Sequence, residues 1–229
     1  MTDTEIPTLR FRGPNTGIVA TVFVLLFFAG LMPVTAFGGM PYFPGPTASV
    51  AEMVNFFSHR QVGVLICAFL QFGSAIPLGI FTATMIARLR FLGVRAAGLE
   101  IALFGGLATA IGLVVGTSFL WATTYPGIPE NADLLNAIYR ISFGIGGPGY
   151  AVSFGLLAAG ISIPAAFSKL LPKWVVILGL FVAVVGVLSW FEILSVRILP
   201  LIPLTRFPGF VWMIAAGFTV GKRPKEVTA

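Results

Sequence analysis

The chain has 229 residues, of which 57% are hydrophobic and 10% charged, with 22 Phe and a mean hydropathy of +0.99. So few polar side chains cannot cover a water-soluble core, which excludes a soluble globular fold and assigns residues 1–229 to one integral membrane domain. A net charge of +6 would suggest nucleic acid in a soluble protein. Here the bases fall between apolar stretches, where they orient spans and meet anionic headgroups, so membrane lipids are the expected partners and nucleic acid is not.

Crossing a bilayer takes roughly 20 helical residues. Six stretches reach that length: Thr16 to Phe37, Gln61 to Ala87, Gly98 to Thr124, Ala137 to Phe167, Trp174 to Leu194, and Leu201 to Val220. The fold class is therefore all-α, a six-span transmembrane helix bundle. Arg10 and Arg12 before the first stretch, with Val34, Thr35 and Ala36 after it, resemble a secretory signal. The stretch is long for a signal and reads as a retained first span. Arg206 and Pro208 interrupt the last stretch and would move its start towards Phe207.

Between the spans, bases gather on one side: Arg10, Arg12, Arg88, Arg90, Arg95, Lys169, Lys173, Lys222, Arg223 and Lys225. The other side holds Arg60, Arg140, Arg197 and Arg206. The positive-inside rule then puts both termini in the cytoplasm of a multi-pass inner-membrane protein. The first outer connection is rich in Gly and Pro, and Ser49 followed by Glu52 matches a capping box. Val50, Met53, Val54 and Phe57 recur at helical spacing after it, predicting a short amphipathic helix at the interface before span two. The second outer connection carries Glu130 and Asp133, acids suited to the start of span four.

Lipid supplies no hydrophobic drive between helices, so small residues at four-residue spacing mark the contact faces. Gly105, Thr109, Gly112 and Gly116 form one such ridge, Ser142, Gly146, Gly149 and Ser153 share one face of span four, and Gly217 with Gly221 forms a further pair. All are read as helix-packing positions. Phe143 to Gly149 looks like a nucleotide-binding glycine loop, but it lies within a span and follows no strand. Pro148 removes a helical donor among those glycines, so span four should kink or locally unwind. Pro77 and Pro164 suggest gentler bends in spans two and four.

An ionised group inside a span costs about 2.5–3.5 kcal/mol, so each one needs a reason. Glu192 shares a polar stripe with Ser189 and Ser195 near the outer end of span five. Its expected partner is Arg140, Arg197 or Arg206, three arginines at outer helix ends that could together hold an anionic headgroup or carboxylate. His59 beside Arg60 reads as an interfacial polar pair, and Glu100 as a helix-dipole acid. These residues, Glu192, Arg140, Arg197, Arg206 and His59, are the candidate ligand-binding set. One histidine and one cysteine, Cys67, exclude a bis-histidine haem, a histidine-rich metal site and a disulfide. No catalytic motif and no lysine within a span were found, so no catalytic residue, metal or cofactor is assigned. A bound lipid or pigment is compatible with the composition.

Leu171, Pro172, Lys173 and Trp174 open span five, and Phe207 to Met213 lead to a glycine near the C-terminus. In these features and in its six spans the chain resembles small bacterial membrane-protein families of unknown function. The resemblance implies the architecture and a bacterial inner membrane, and it transfers no catalytic residue. The expected role is non-enzymatic: an accessory subunit beside other integral proteins, or a lipid or small-molecule binder. A small transporter using the kinked fourth span and Glu192 is the first alternative. An outer-leaflet enzyme with Glu192 as acid or base is the second.

Overall fold

The computed structural model describes residues 11–221, and among these the only regular elements are helices. Six helical segments are long and apolar enough to cross a membrane: Thr16–Val34, Gln61–Phe91, Gly98–Ala122, Ala132–Phe167, Lys173–Ile193 and Val196–Thr219. In chain order the α-helices are α1 (Thr16–Leu31), α2 (Val50–His59), α3 (Gln61–Phe91), α4 (Gly98–Ala122), α5 (Ala132–Gly144), α6 (Tyr150–Phe167), α7 (Lys173–Leu188) and α8 (Leu201–Thr219). Arg10, Lys222, Arg223 and Lys225, used in the charge comparison, lie outside the described residues.

Each spanning helix packs chiefly on its neighbours in sequence, and α8 returns to α1, so α1, α3, α4, α6, α7 and α8 form a closed ring. Consecutive spanning helices are neighbours, joined by short connections except between α1 and α3, where α2 intervenes, and closing the ring leaves one axis to fill. Over part of its length that axis is filled by Phe23, Phe81, Phe154, Trp212 and Met213, all fully buried. Aromatic contacts knit them together, with Phe154 edge-on to Trp212 and Phe23 edge-on to Phe210. The Trp212 indole N–H donates to Ser162 Oγ at 3.0 Å, which satisfies its one polar atom.

Close helix approach follows the small residues unevenly. A methyl at Gly105 would lie 2.5 Å from the Leu157 nitrogen, and one at Gly217 would lie 2.7 Å from Gly17. Those two glycines let α4 meet α6 and α8 meet α1. Gly116 and Gly149 have ordinary or slightly tight surroundings, and Gly221 hydrogen-bonds through its N–H to the Leu170 carbonyl. Gly112 and Gly146 do not pack as expected: a methyl at Gly112 would find its nearest atom at 3.8 Å and one at Gly146 none within 4 Å. They border a void. A close backbone approach of α6 and α7 instead uses Gly155 and Gly186, which the sequence spacing did not single out.

Three further expectations change. Span four is longer, starting at Ala132 where Asn131 accepts the Leu134 N–H. Span six is not delayed to Phe207, because Pro208 falls seven residues into α8 and is accommodated there. Arg88, counted only as an orienting charge, ties helix ends together through Thr16 Oγ1 at 3.4 Å and the carbonyls of Val220 and Gly221 at 3.1 and 3.3 Å. Glu100 forms an exposed ion pair with Arg90.

At the opposite end of the ring from Arg88, α2 and the segment before it make a cap. Ser49 and Glu52 form both bonds of the capping box, and the Ser49 N–H and hydroxyl, which both donate to Glu52 Oε2, lower the pKa of the Glu52 carboxyl. Met53, Phe56 and Phe57 of α2 are buried with Val34, Val64, Leu135 and Tyr139 in a second apolar cluster. The Tyr139 hydroxyl donates to the Pro44 carbonyl, and the Arg60 guanidinium donates to the Pro33 carbonyl at 2.6 Å. Both bonds fix the cap on the helix ends.

Candidate functional site

Between the cap and the filled part of the axis lies a cavity of about 600 Å³. Its roof is Phe43, Pro44, Gly45 and Pro46; its walls include Phe27 and Leu31 of α1, Cys67 and Gln71 of α3, and Gly112 to Leu120 of α4. Tyr139 to Gly147 and Leu199 to Arg206 complete it. The lining is mostly apolar, and its size falls within the roughly 300–1,000 Å³ typical of small-molecule sites. Wall residues Pro200 and Pro203 are exposed, and the space is partly open rather than sealed inside the bundle.

Arg206 is the only charged residue in that lining. Its Nη2 donates to the Gly146 carbonyl at 2.6 Å, while its Nε is buried without an acceptor. The guanidinium carbon lies 4.8 Å from the ring centre of Tyr150 and 5.1 Å from that of Phe27, two neighbouring rings whose faces it covers. No carboxylate pairs with it among the described residues, where Arg90–Glu100 is the only ion pair.

The partner carbonyl comes from the broken fourth span. Residues Ile145–Gly149 wind as a π-helix between α5 and α6, with Pro148 inside it. Pro148 has no N–H to give, and the Tyr150 N–H goes to the carbonyls of Ile145 and Gly147, bypassing Gly146. One turn of irregular backbone thus presents a carbonyl towards the ring axis, as π-bulges at functional sites do. Ser142, just before it, donates to the Gly116 carbonyl at 2.8 Å and holds the bulge against α4.

Among polar side chains on the wall, Gln71 stands out, since its amide makes no hydrogen bond and Ser74 Oγ donates to its backbone carbonyl instead. Thr117 and Tyr139 spend their hydroxyl protons on the carbonyls of Leu113 and Pro44. Cys67 is a free, buried thiol at the wall.

The candidate set from the sequence does not assemble. Arg140 is exposed and donates to Asn136 Oδ1 at 2.8 Å, Arg197 is exposed on a 3-10 turn, and His59 is exposed with Nδ1 2.8 Å from the Asn55 carbonyl. Arg206 alone of the five borders the cavity. Its expected place at an outer helix end is wrong, because α8 begins before it and turns it inward. Glu192 is buried on the 3-10 turn that ends α7, with Oε2 unpartnered, and the anticipated pairing with an arginine is absent. The 3-10 turn runs only from Ser189 to Ile193, so Ser195, in extended backbone, falls outside the expected stripe, and each serine is used locally.

Phe27, Tyr150, Gln71 and the Gly146 carbonyl had no distinguishing mark in the sequence. Only the glycine-flanked Pro148 signalled that backbone would be released there. No group of three or more potential metal ligands occurs among the described residues. No protein-family model, no curated protein and no solved structure matches this chain.

Proposed function

We propose that this is a non-enzymatic, multi-pass membrane protein that holds a lipid or lipid-like small molecule inside its helix ring. The observation that carries the reading is the apolar cavity of about 600 Å³ on the ring axis, between the cap and the Phe154–Trp212 packing. An apolar space of this size offers a hydrocarbon body the dispersion contacts that it would otherwise leave unfilled. Its exposed wall at Pro200 and Pro203 supplies an entry from the outer surface of the spans.

The membrane reading extends to a bacterial inner membrane with both chain ends in the cytoplasm. What supports it is the gathering of Arg88, Arg90, Arg95, Lys169 and Lys173 at the helix ends and connections on the side of Thr16 and Gly221, with Arg60, Arg140 and Arg197 on the other. The α2 helix, beyond the ends of α3 and α5, would then lie at the outer interface. Exposed Phe69, Phe72, Phe104 and Ile111 would face lipid, or another integral subunit if the protein is an accessory chain.

Transport is a second reading, favoured by the π segment in span four, since broken helices line many carrier sites. Against it, Met85, Leu89, Ile161 and Val220 fill the half that carries Arg88, and none of them borders the cavity.

The test is native mass spectrometry of the protein purified in a mild detergent, beside Gly112→Leu, which places a side chain in the void. A stoichiometric bound molecule in the wild type and its loss from the variant is the expected result. Identical lipid complements in both would reject the binding reading.

A further inference from the structure

We infer that the molecule held in this cavity has an oxyanion head, a carboxylate or phosphate monoester, on a hydrocarbon body, and that Arg206 is its anchor. This rests on the binding reading above. Three observations converge on it.

First, Arg206 is a permanent cation within a span, and nothing among the described residues neutralises it. Bilayer insertion disfavours such a residue, so its position needs compensation. The rings of Phe27 and Tyr150 and one carbonyl supply part of that, and each is a neutral partner. An arriving anion would complete it.

Second, the guanidinium is held flat and only partly used. Cation–π contact and the Gly146 carbonyl fix its plane, while the buried Nε–H has no acceptor. A planar fork with free donors matches the oxygens of a carboxylate or phosphate and would donate to two at once. A ketone or alcohol head would take one donor and leave the charge as it is. Gln71 adds a second uncommitted donor on the same wall.

Third, the remaining wall fits the other end of such a molecule. Leu31, Val34, Leu113, Leu120, Phe143 and Ile202 present hydrocarbon, and no acid lines the space to repel the head. A bare inorganic anion would leave most of that surface without contacts.

The experiment is equilibrium binding of radiolabelled hexadecanoate, hexadecyl phosphate and hexadecanol to the full-length protein in non-ionic detergent. It is run at about pH 8, where the carboxylate is ionised. Signal from Gly112→Leu is subtracted as detergent partitioning. The acid or the phosphate should bind at least about tenfold tighter than the alcohol, and Arg206→Gln should reduce it to the alcohol's level. Preference for the acid points to a fatty-acid-like source and preference for the phosphate to a lipid phosphate; either supports the anchor. Equal binding of all three to the wild type overturns the anion assignment while leaving the cavity reading intact. Binding of none above the Gly112→Leu signal overturns both. The wild-type ranking decides the matter even if Arg206→Gln fails to fold.

Discussion

The Arg206 guanidinium reaches from α8 to the carbonyl of Gly146 in the π segment of span four, at 2.6 Å. The bond joins the one cation on the cavity wall to the one stretch where the spanning helix stops being regular. Arg206→Lys keeps the charge but loses the planar fork that bonds Gly146 while covering Phe27 and Tyr150. It should destabilise the protein by about 1–2 kcal/mol, from one impaired hydrogen bond and weaker cation–π contact. Thermal unfolding in detergent measures this, and an unchanged midpoint would show that the fork is not what holds the two helices.

Gly105 and Gly112 belong to one ridge on α4 and should respond in opposite ways to added carbon. Gly105→Ala drives a methyl into the α6 backbone and should cost about 1–3 kcal/mol. Gly112→Ala meets only open space and gains helix propensity, so stability should hold or rise by up to about 1 kcal/mol. Equal losses in the two variants would mean that the cavity is not present in the folded protein.

Arg88 separates an orienting charge from a structural clamp. Its three polar contacts join the ends of α1, α3 and α8. Arg88→Gln shortens that reach and leaves the carbonyls of Val220 and Gly221 underbonded, for a loss of about 1–3 kcal/mol with topology unchanged. Unfolding midpoints and protease protection of the two chain ends, measured together, check both halves of the statement.

Tyr139 anchors the cavity roof through Pro44. Tyr139→Phe retains the ring among Phe43, Phe57 and Phe143 but removes the donor, so the loss should be only about 1 kcal/mol and confined to the cap. Hydrogen exchange should quicken between residues 38 and 49 and not in α6 or α7.

The capping box gives α2 a pH dependence of known sign. Glu52 has its carboxyl lowered by the Ser49 backbone N–H and hydroxyl, so the folded helix binds its proton less readily than the unfolded chain does. The stabilisation is present above the ordinary carboxylate value and is lost as pH falls through the lowered folded value. Exchange of α2 amides should therefore rise on acidification in the wild type and show a smaller pH response in Glu52→Gln.

Sequence alone determined the membrane class, the number of long apolar helices, the capped α2 and the break near Pro148. Each follows from a local cause: hydrophobic length against bilayer thickness, a side chain within reach of its own helix start, a missing N–H. Tertiary structure decided which charges meet. Arg140, Arg197 and Arg206 look alike as bases near helix ends, and only packing separates them: α8 turns Arg206 towards the cavity, while Arg140 on α5 and Arg197 on a 3-10 turn stay exposed. The same holds for the glycines, since spacing identifies a smooth face but not whether a backbone or a void lies opposite it. Gly105 meets α6 while Gly112 meets the cavity, because ring closure brings the helices together at one level and the cap holds space open at another.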